Sequence, residues 1–134
     1  MLTKKKVLLL DDNMTVTEES IEALARVYDV ERCKEICIAA HRMKVYHVDL
    51  FVIDLMMPPK GLDVKDEFNA GFLFYTQYVK EKYPRTPVLF WTNLNDSSYK
   101  EFLAKNKGKT WLHYLQKSED SQALLKEVKK IFNE

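Results

Sequence analysis

The sequence predicts a doubly wound α/β domain, in which helices cover both faces of a five-stranded parallel sheet. Short apolar runs alternate with segments of helical periodicity, which is the pattern of alternating strands and helices. The first run, Val7 to Leu10, is apolar at every position, as expected of a strand buried on both faces. A chain of 134 residues suits one such unit, so we expect 1–134 to form a single domain.

Five apolar runs, bounded by polar residues or proline, define the predicted strands. The second run is short and carries several polar residues, so we expect that strand to lie near an edge of the sheet. The predicted strands are β1 (6–11), β2 (30–34), β3 (50–55), β4 (87–92) and β5 (110–116).

The segments between these strands carry apolar residues at helical spacing. The predicted helices are α1 (15–28), α2 (35–46), α3 (71–83), α4 (96–106) and α5 (119–132). The residues expected to face the core are Ile21, Leu24, Ala25 and Tyr28 in α1 and Ile36, Ala39, Ala40 and Met43 in α2. No period is evident between Met56 and Asn69, and a loop of that length is typical of a functional or mobile segment.

Composition and charge exclude some functions. The formal net charge of +1 provides no global field that would attract nucleic acid or an anionic membrane. No apolar run approaches the ~20 residues of a membrane span. Cys33 and Cys37 are four residues apart and define no disulfide framework, which favours a reducing, cytoplasmic location.

Polar side chains stand at the ends of four predicted strands. Asp11 and Asp12 end β1, Asp54 ends the apolar part of β3, Thr92 ends β4, and Lys117 follows β5. Because parallel strands deliver their carboxyl ends to one edge of the sheet, we expect these side chains to share a pocket.

The charges of these residues suggest a separate chemical role for each of them. Asp12 and Asp54 are suited to ligate Mg²⁺, a hard cation that prefers oxygen, while Asp11 holds one of its waters. Asp54 is also positioned as a carboxylate nucleophile that could form an acyl phosphate. Thr92 can donate a hydrogen bond to a phosphoryl oxygen and Lys117 can pair with its charge, a set suited to phosphoryl transfer.

With these motifs, the chain resembles the receiver domain of two-component response regulators over essentially its whole length. Each motif alone is weakly specific, but together they stand in the right order on the right strand ends. The matching segments are Leu10-Asp11-Asp12-Asn13, Asp54-Leu55-Met56-Met57-Pro58, Phe90-Trp91-Thr92-Asn93 and Tyr114-Leu115-Gln116-Lys117. The resemblance implies a flavodoxin-like fold with strand order 2-1-3-4-5.

The resemblance also implies a chemistry. Asp54 would accept a phosphoryl group from the phosphohistidine of a histidine kinase or phosphotransfer protein. Asp11, Asp12 and Asp54, with the backbone carbonyl of Met56, would form the Mg²⁺ site. Such a domain catalyses only its own phosphorylation and dephosphorylation.

A switch is the further implication of the resemblance. Thr92 and Tyr114 would move together on phosphorylation and reshape the face around α4 and β5, which then meets a downstream protein. From its position alone, Tyr114 is equally well explained as a partly buried strand aromatic.

Three features depart from the family pattern. The family usually has a glycine within a few residues of the Met-Pro pair, whereas here residues 59–70 intervene between Pro58 and Gly71, which we interpret as an insertion beside the site. Ser118 follows Lys117 where the family commonly has a cis proline, so we expect a rearranged loop there, since a cis bond without proline costs about 2.5–4 kcal/mol. Asn93 follows Thr92 where the family favours a smaller residue, which would narrow access for a phosphodonor.

Two other functions stay open from the sequence. A phosphatase of the haloacid dehalogenase type would use Asp11 as its nucleophile, although Asn13 then stands where that motif has its second acid. A degenerate receiver that is never phosphorylated would act only as a docking module. Cys33, Cys37 and His41 recur every four residues and could form a metal-binding face, but burial of Cys33 at a strand end is the better interpretation.

Overall fold

The computed structural model describes residues 4–11, 18–55, 70–92, 104–105 and 107–134. Five parallel strands form one sheet in the order β2-β1-β3-β4-β5, which confirms the predicted class and strand order. The strands are β1 (Lys6–Leu10), β2 (Asp29–Cys33), β3 (Leu50–Ile53), β4 (Val88–Thr92) and β5 (Leu112–Gln116). The polar strand β2 lies at an edge, as expected.

The helices follow the predicted alternation. They are α1 (Glu18–Ala25), α2 (Ile36–Val45), α3 (residues 70–82) and α5 (Ala123–Ile131). Helix α3 begins as an α-helix at Ala70–Phe74, continues as a π-helical turn at Tyr75–Val79 and ends in an α-helical turn at Lys80–Lys82. Of the predicted α4, only residues 104 and 105 are described, and both are helical. The predicted insertion at 59–70 lies outside the described residues except for residue 70.

The sheet has an apolar core on each face. Alternate residues of β1 point to opposite faces, so Leu8 and Leu10 pack with α2 and α3, whereas Val7 and Leu9 pack with α1 and α5. This is why β1 is apolar at every position from Val7 to Leu10. Burial of all four predicted inward residues of α2 is confirmed.

Two details of the helices differ from the sequence predictions. Helix α5 begins at Ala123 and not at 119, because the Asp120 carboxylate accepts a hydrogen bond from the Gln122 backbone N–H at 2.9 Å in a turn that precedes the helix. In α1 the side chain of Ala25 is exposed and Ala23 is buried, so the predicted inward position of Ala25 is wrong.

No described helix is long and apolar enough to span a lipid bilayer.

The packing of β5 on α5 predicts a pH effect at His113. Desolvation lowers the pKa of this partly buried imidazole, an effect that Glu127 opposes and Lys130 supports. The folded protein therefore binds fewer protons than the unfolded chain below pH 6.5, so stability that is fully present above the unfolded pKa of 6.5 is lost as the pH falls from there through the lower pKa of the folded state. We expect His113→Gln to reduce the loss of unfolding free energy between about pH 7.5 and about pH 5.5. Denaturant titrations beside the exposed control His41→Gln measure this, and parallel pH profiles of the parent and His113→Gln would contradict it.

Candidate functional site

The strand register brings the predicted polar residues to one edge. Leu10 is paired with Ile53, and the Asp54 N–H donates to the Leu10 carbonyl at 2.9 Å, so Asp11 and Asp54 follow neighbouring strand ends. On the other side of β3, the Lys117 N–H donates to the Thr92 carbonyl at 2.8 Å and continues the β4–β5 pairing by one residue. Four strand ends therefore meet, as the topology rule predicts.

Lys117 joins the two described carboxylates into a buried ionic cluster. Its Nζ lies 2.6 Å from Asp11 Oδ2 and donates a hydrogen bond to Asp54 Oδ2 at 3.0 Å. The side chains of Lys117, Asp11 and Asp54 are only 4%, 1% and 7% exposed. Two carboxylates and one ammonium have a formal net charge of −1, so the binding of a further cation would be electrostatically favourable.

The Trp91 ring also lies close to the ammonium of Lys117. Lys117 Nζ lies 5.0 Å from the ring centroid, within cation–π range. Trp91 is itself 2% exposed and packs in the core on the α1 and α5 face. Trp91 belongs to one of the four matching segments, but no role for it was predicted from the sequence. Its position directly before Thr92 at a strand end was the signal that could have identified it.

Gly71 allows α3 to approach the end of β3 very closely. A Cβ atom built at Gly71 would lie 2.0 Å from the Asp54 carbonyl oxygen and 2.8 Å from Leu55 Cα. The Gly71 N–H donates to the Leu55 carbonyl at 3.2 Å, which holds the first turn of α3 against the strand end. A residue with any side chain would displace the helix or the backbone that carries Asp54, so the glycine at 71 is needed for packing.

The two predicted switch residues occupy different environments. Thr92 is fully buried at the end of β4. Tyr114 is partly buried and packs against the core on the α2 and α3 face, and Phe90 is its partner in the sheet register. Only two residues of the predicted α4 are described, so most of the surface that would join them to a partner lies outside the described residues.

The described donors fit a hard divalent cation. Asp11 and Asp54 offer carboxylate oxygens at adjacent strand ends, and the cluster keeps a formal charge of −1 after Lys117 is counted. The other two predicted ligands, Asp12 and the Met56 carbonyl, lie outside the described residues. Within the described ranges, no group of three or more His, Cys, Asp or Glu side chains could hold a metal.

The remaining sequence expectations have mixed outcomes. The Lys117–Ser118 peptide bond is trans, and Lys117 nevertheless reaches both carboxylates. Asn93 lies outside the described residues. Cys33 is buried at the end of β2, where desolvation raises its thiol pKa to about 11, whereas Cys37 is exposed on α2. The two thiols are therefore in different environments, as the preferred interpretation requires.

Comparison with solved structures identifies the fold as that of response-regulator receiver domains. The chain is similar to the chemotaxis response regulator CheY4 of Vibrio cholerae, with a TM-score of 0.71, 22% identity, and coverage of 96% of this chain and 99% of that one. It is also similar to the receiver domain of an HD-domain-containing protein from Pseudomonas fluorescens (TM-score 0.74, 19% identity, coverage 99% and 90%).

A third similar structure is the response regulator TrrA of Thermotoga maritima in complex with Mg²⁺ and BeF (TM-score 0.68, 19% identity, coverage 95% and 98%). No family model matches the chain. No curated protein sequence matches it significantly either. The resemblance predicted from the four motifs is thus confirmed at the level of the fold.

Proposed function

We propose that this protein is a signalling receiver that accepts a phosphoryl group on Asp54. The observation that carries the proposal is the placement of Lys117 Nζ between two buried carboxylates, 2.6 Å from Asp11 and 3.0 Å from Asp54. A receiver requires a carboxylate nucleophile beside a fixed positive charge that can pair with the incoming phosphoryl oxygens. The receiver fold of the similar structures supports the same function.

The proposed reaction transfers phosphorus from nitrogen to oxygen. An Asp54 carboxylate oxygen attacks the phosphorus of a phosphohistidine, the O–P bond forms, the N–P bond breaks, and the released imidazole nitrogen takes a proton from solvent. Lys117 Nζ remains beside the new acyl phosphate and pairs with its added charge. Thr92, at the end of the neighbouring strand, is the proposed hydrogen-bond donor to a phosphoryl oxygen.

We propose that the cation of this site is Mg²⁺. Its ligands would be Asp11, Asp12, Asp54 and the Met56 carbonyl. When bound, Mg²⁺ neutralises the negative charge that the phosphoryl group brings to the carboxylates. Asp11 and Asp54 are buried and carry oxygen donors, which supports this assignment. The Mg²⁺–BeF complex of the similar TrrA protein is consistent with it.

The output of the proposed receiver is protein binding and not a second catalytic reaction. Phosphorylation of Asp54 would bias Thr92 and Tyr114 between two arrangements and so change the face around α4 and β5. The partners would be a histidine kinase or phosphotransfer protein upstream and a target protein downstream, with no direct contact to nucleic acid or membrane. The net charge of +1 agrees with that choice of partners.

Replacement of the acceptor tests the proposal. We expect Asp54→Asn to take up no phosphoryl group from acetyl phosphate in the presence of Mg²⁺, whereas the parent protein gains one, as measured by intact mass. The parent should also lose uptake when the cation is chelated. Lys117 retains Asp11 as its partner in the variant, so we expect the free energy of unfolding to change by less than about 1 kcal/mol.

Matched carboxylate variants separate the competing functions. The exposed Asp120→Asn should label like the parent protein. If Asp54→Asn still takes up label but Asp11→Asn does not, the receiver function is refuted, and the result indicates a phosphatase with Asp11 as its nucleophile. A parent protein that takes up no label from acetyl phosphate or from a histidine kinase would favour the docking module.

A further inference from the structure

We propose that Trp91 is a positioning residue that holds Lys117 at the phosphoacceptor site through its ring face. The inference rests on the proposed function, because the consequence of the contact is the rate of phosphoryl uptake. Its basis is the 5.0 Å distance between Lys117 Nζ and the Trp91 centroid in a cluster from which water is largely excluded. A cation–π contact is stronger in such desolvated surroundings than at the surface.

Lysine needs such support more than arginine would. Its ammonium is a compact charge on a flexible stem of four carbons, and ordering the stem costs conformational entropy. The backbone of Lys117 is fixed by its hydrogen bond to the Thr92 carbonyl at 2.8 Å, but that bond does not set the direction of the side chain. Asp11, Asp54 and the Trp91 ring are the groups that surround the ammonium among the described residues.

These three neighbours behave differently during the proposed reaction. The carboxylates change: Asp54 becomes an acyl phosphate, and a cation bound to Asp11 would weaken the hold of that carboxylate on Lys117. The ring carries no net charge and its quadrupole is the same before and after transfer. Trp91 is therefore the one of the three that keeps Lys117 in place at every stage, ready for the phosphoryl oxygens.

Trp91 is also part of the core, so a test has to separate positioning from packing. We choose Trp91→Phe, which keeps an aromatic face, and Trp91→Leu, which keeps an apolar side chain without one. Leu89→Ala serves as the packing control, because Leu89 is fully buried in the same core two residues earlier on β4. Folded fractions measured for each variant normalise the rates.

The first measurement is independent of activity. Protons on Lys117 Cε that lie over the Trp91 ring should show an upfield ring-current shift in the NMR spectrum of the parent protein. We expect the shift to persist in Leu89→Ala, to shrink in Trp91→Phe and to vanish in Trp91→Leu. Absence of the shift in the folded parent protein would overturn the inference whether or not the protein is a receiver.

The second measurement is the initial rate of phosphoryl uptake from acetyl phosphate at saturating Mg²⁺. For Trp91→Leu we expect a decrease of about 5- to 30-fold, and for Trp91→Phe a decrease of only about 2- to 3-fold. Leu89→Ala should match the parent per folded molecule. Equal rates in Trp91→Leu and the parent, or equal decreases in Trp91→Leu and Leu89→Ala, would overturn the positioning role. A parent protein that never labels would instead refute the proposed function, and the ring-current shift would then decide the contact alone.

Discussion

Replacement of Gly71 by alanine is expected to destabilise the fold by about 3 kcal/mol or more. The new Cβ would meet the Asp54 carbonyl oxygen at 2.0 Å and two further backbone atoms at 2.8 Å. Backbone cannot rotate away as the end of a flexible side chain can, so α3 or the end of β3 has to shift, at a cost that exceeds ordinary overpacking. Alanine gains about 1 kcal/mol in helix propensity over glycine, which offsets only part of this strain.

Gly108→Ala is the matched control for this variant. Gly108 has φ +89° but no neighbour within 4 Å of a built Cβ, so alanine there is strained by its backbone alone, at about 1–2 kcal/mol. Denaturant unfolding of both variants gives the comparison. We further expect slower phosphoryl uptake per folded molecule in Gly71→Ala only, because the clash lies on the backbone of Asp54. A Gly71→Ala variant as stable as the parent would show that α3 can withdraw from the strand end freely.

The sequence was sufficient to predict where Asp11, Asp54 and Lys117 meet. The strand ends could be identified from apolar runs, and parallel connections bring carboxyl ends to one edge. The strand order 2-1-3-4-5 was implied by the resemblance to receiver domains, and the polar residues of β2 indicated an edge strand. The observed distances of 2.6 and 3.0 Å to Lys117 Nζ agree with that placement.

Features that depend on approach distance could not be predicted in this way. The contact of Trp91 with Lys117 requires knowing which side of β4 the indole occupies and how far the lysine stem extends. The packing of Gly71 on Asp54 joins residues separated by a segment without periodicity, so spacing along the chain gave no indication of it. The start of α5 was predicted too early because the Asp120 carboxylate competes for a backbone N–H before the helix begins.

Lys117→Met is expected to have the other large effect, a loss of about 3–5 kcal/mol in unfolding free energy at neutral pH. Methionine fills similar space but leaves Asp11 and Asp54, which are 1% and 7% exposed, without the cation that lies 2.6 and 3.0 Å away. A buried charge that loses its partner retains its full desolvation cost. The exposed control Lys129→Met should change stability by less than about 0.5 kcal/mol.

Two additions to this experiment establish that charge is the cause. In the Lys117→Met variant the two carboxylates repel each other, and Asp54→Asn removes one of them. The double variant Asp54→Asn/Lys117→Met should therefore be more stable than Lys117→Met alone. Added Mg²⁺ should stabilise Lys117→Met more than the parent protein at matched ionic strength, because the ammonium no longer competes for the same oxygens. Phosphoryl uptake should nevertheless fall by about 100-fold, since a cation shared by the carboxylates does not replace the charge that Lys117 directs at the phosphoryl group. A variant that is destabilised by less than about 1 kcal/mol, or that labels at the parent rate, would mean that Lys117 is not the counter-charge of this site.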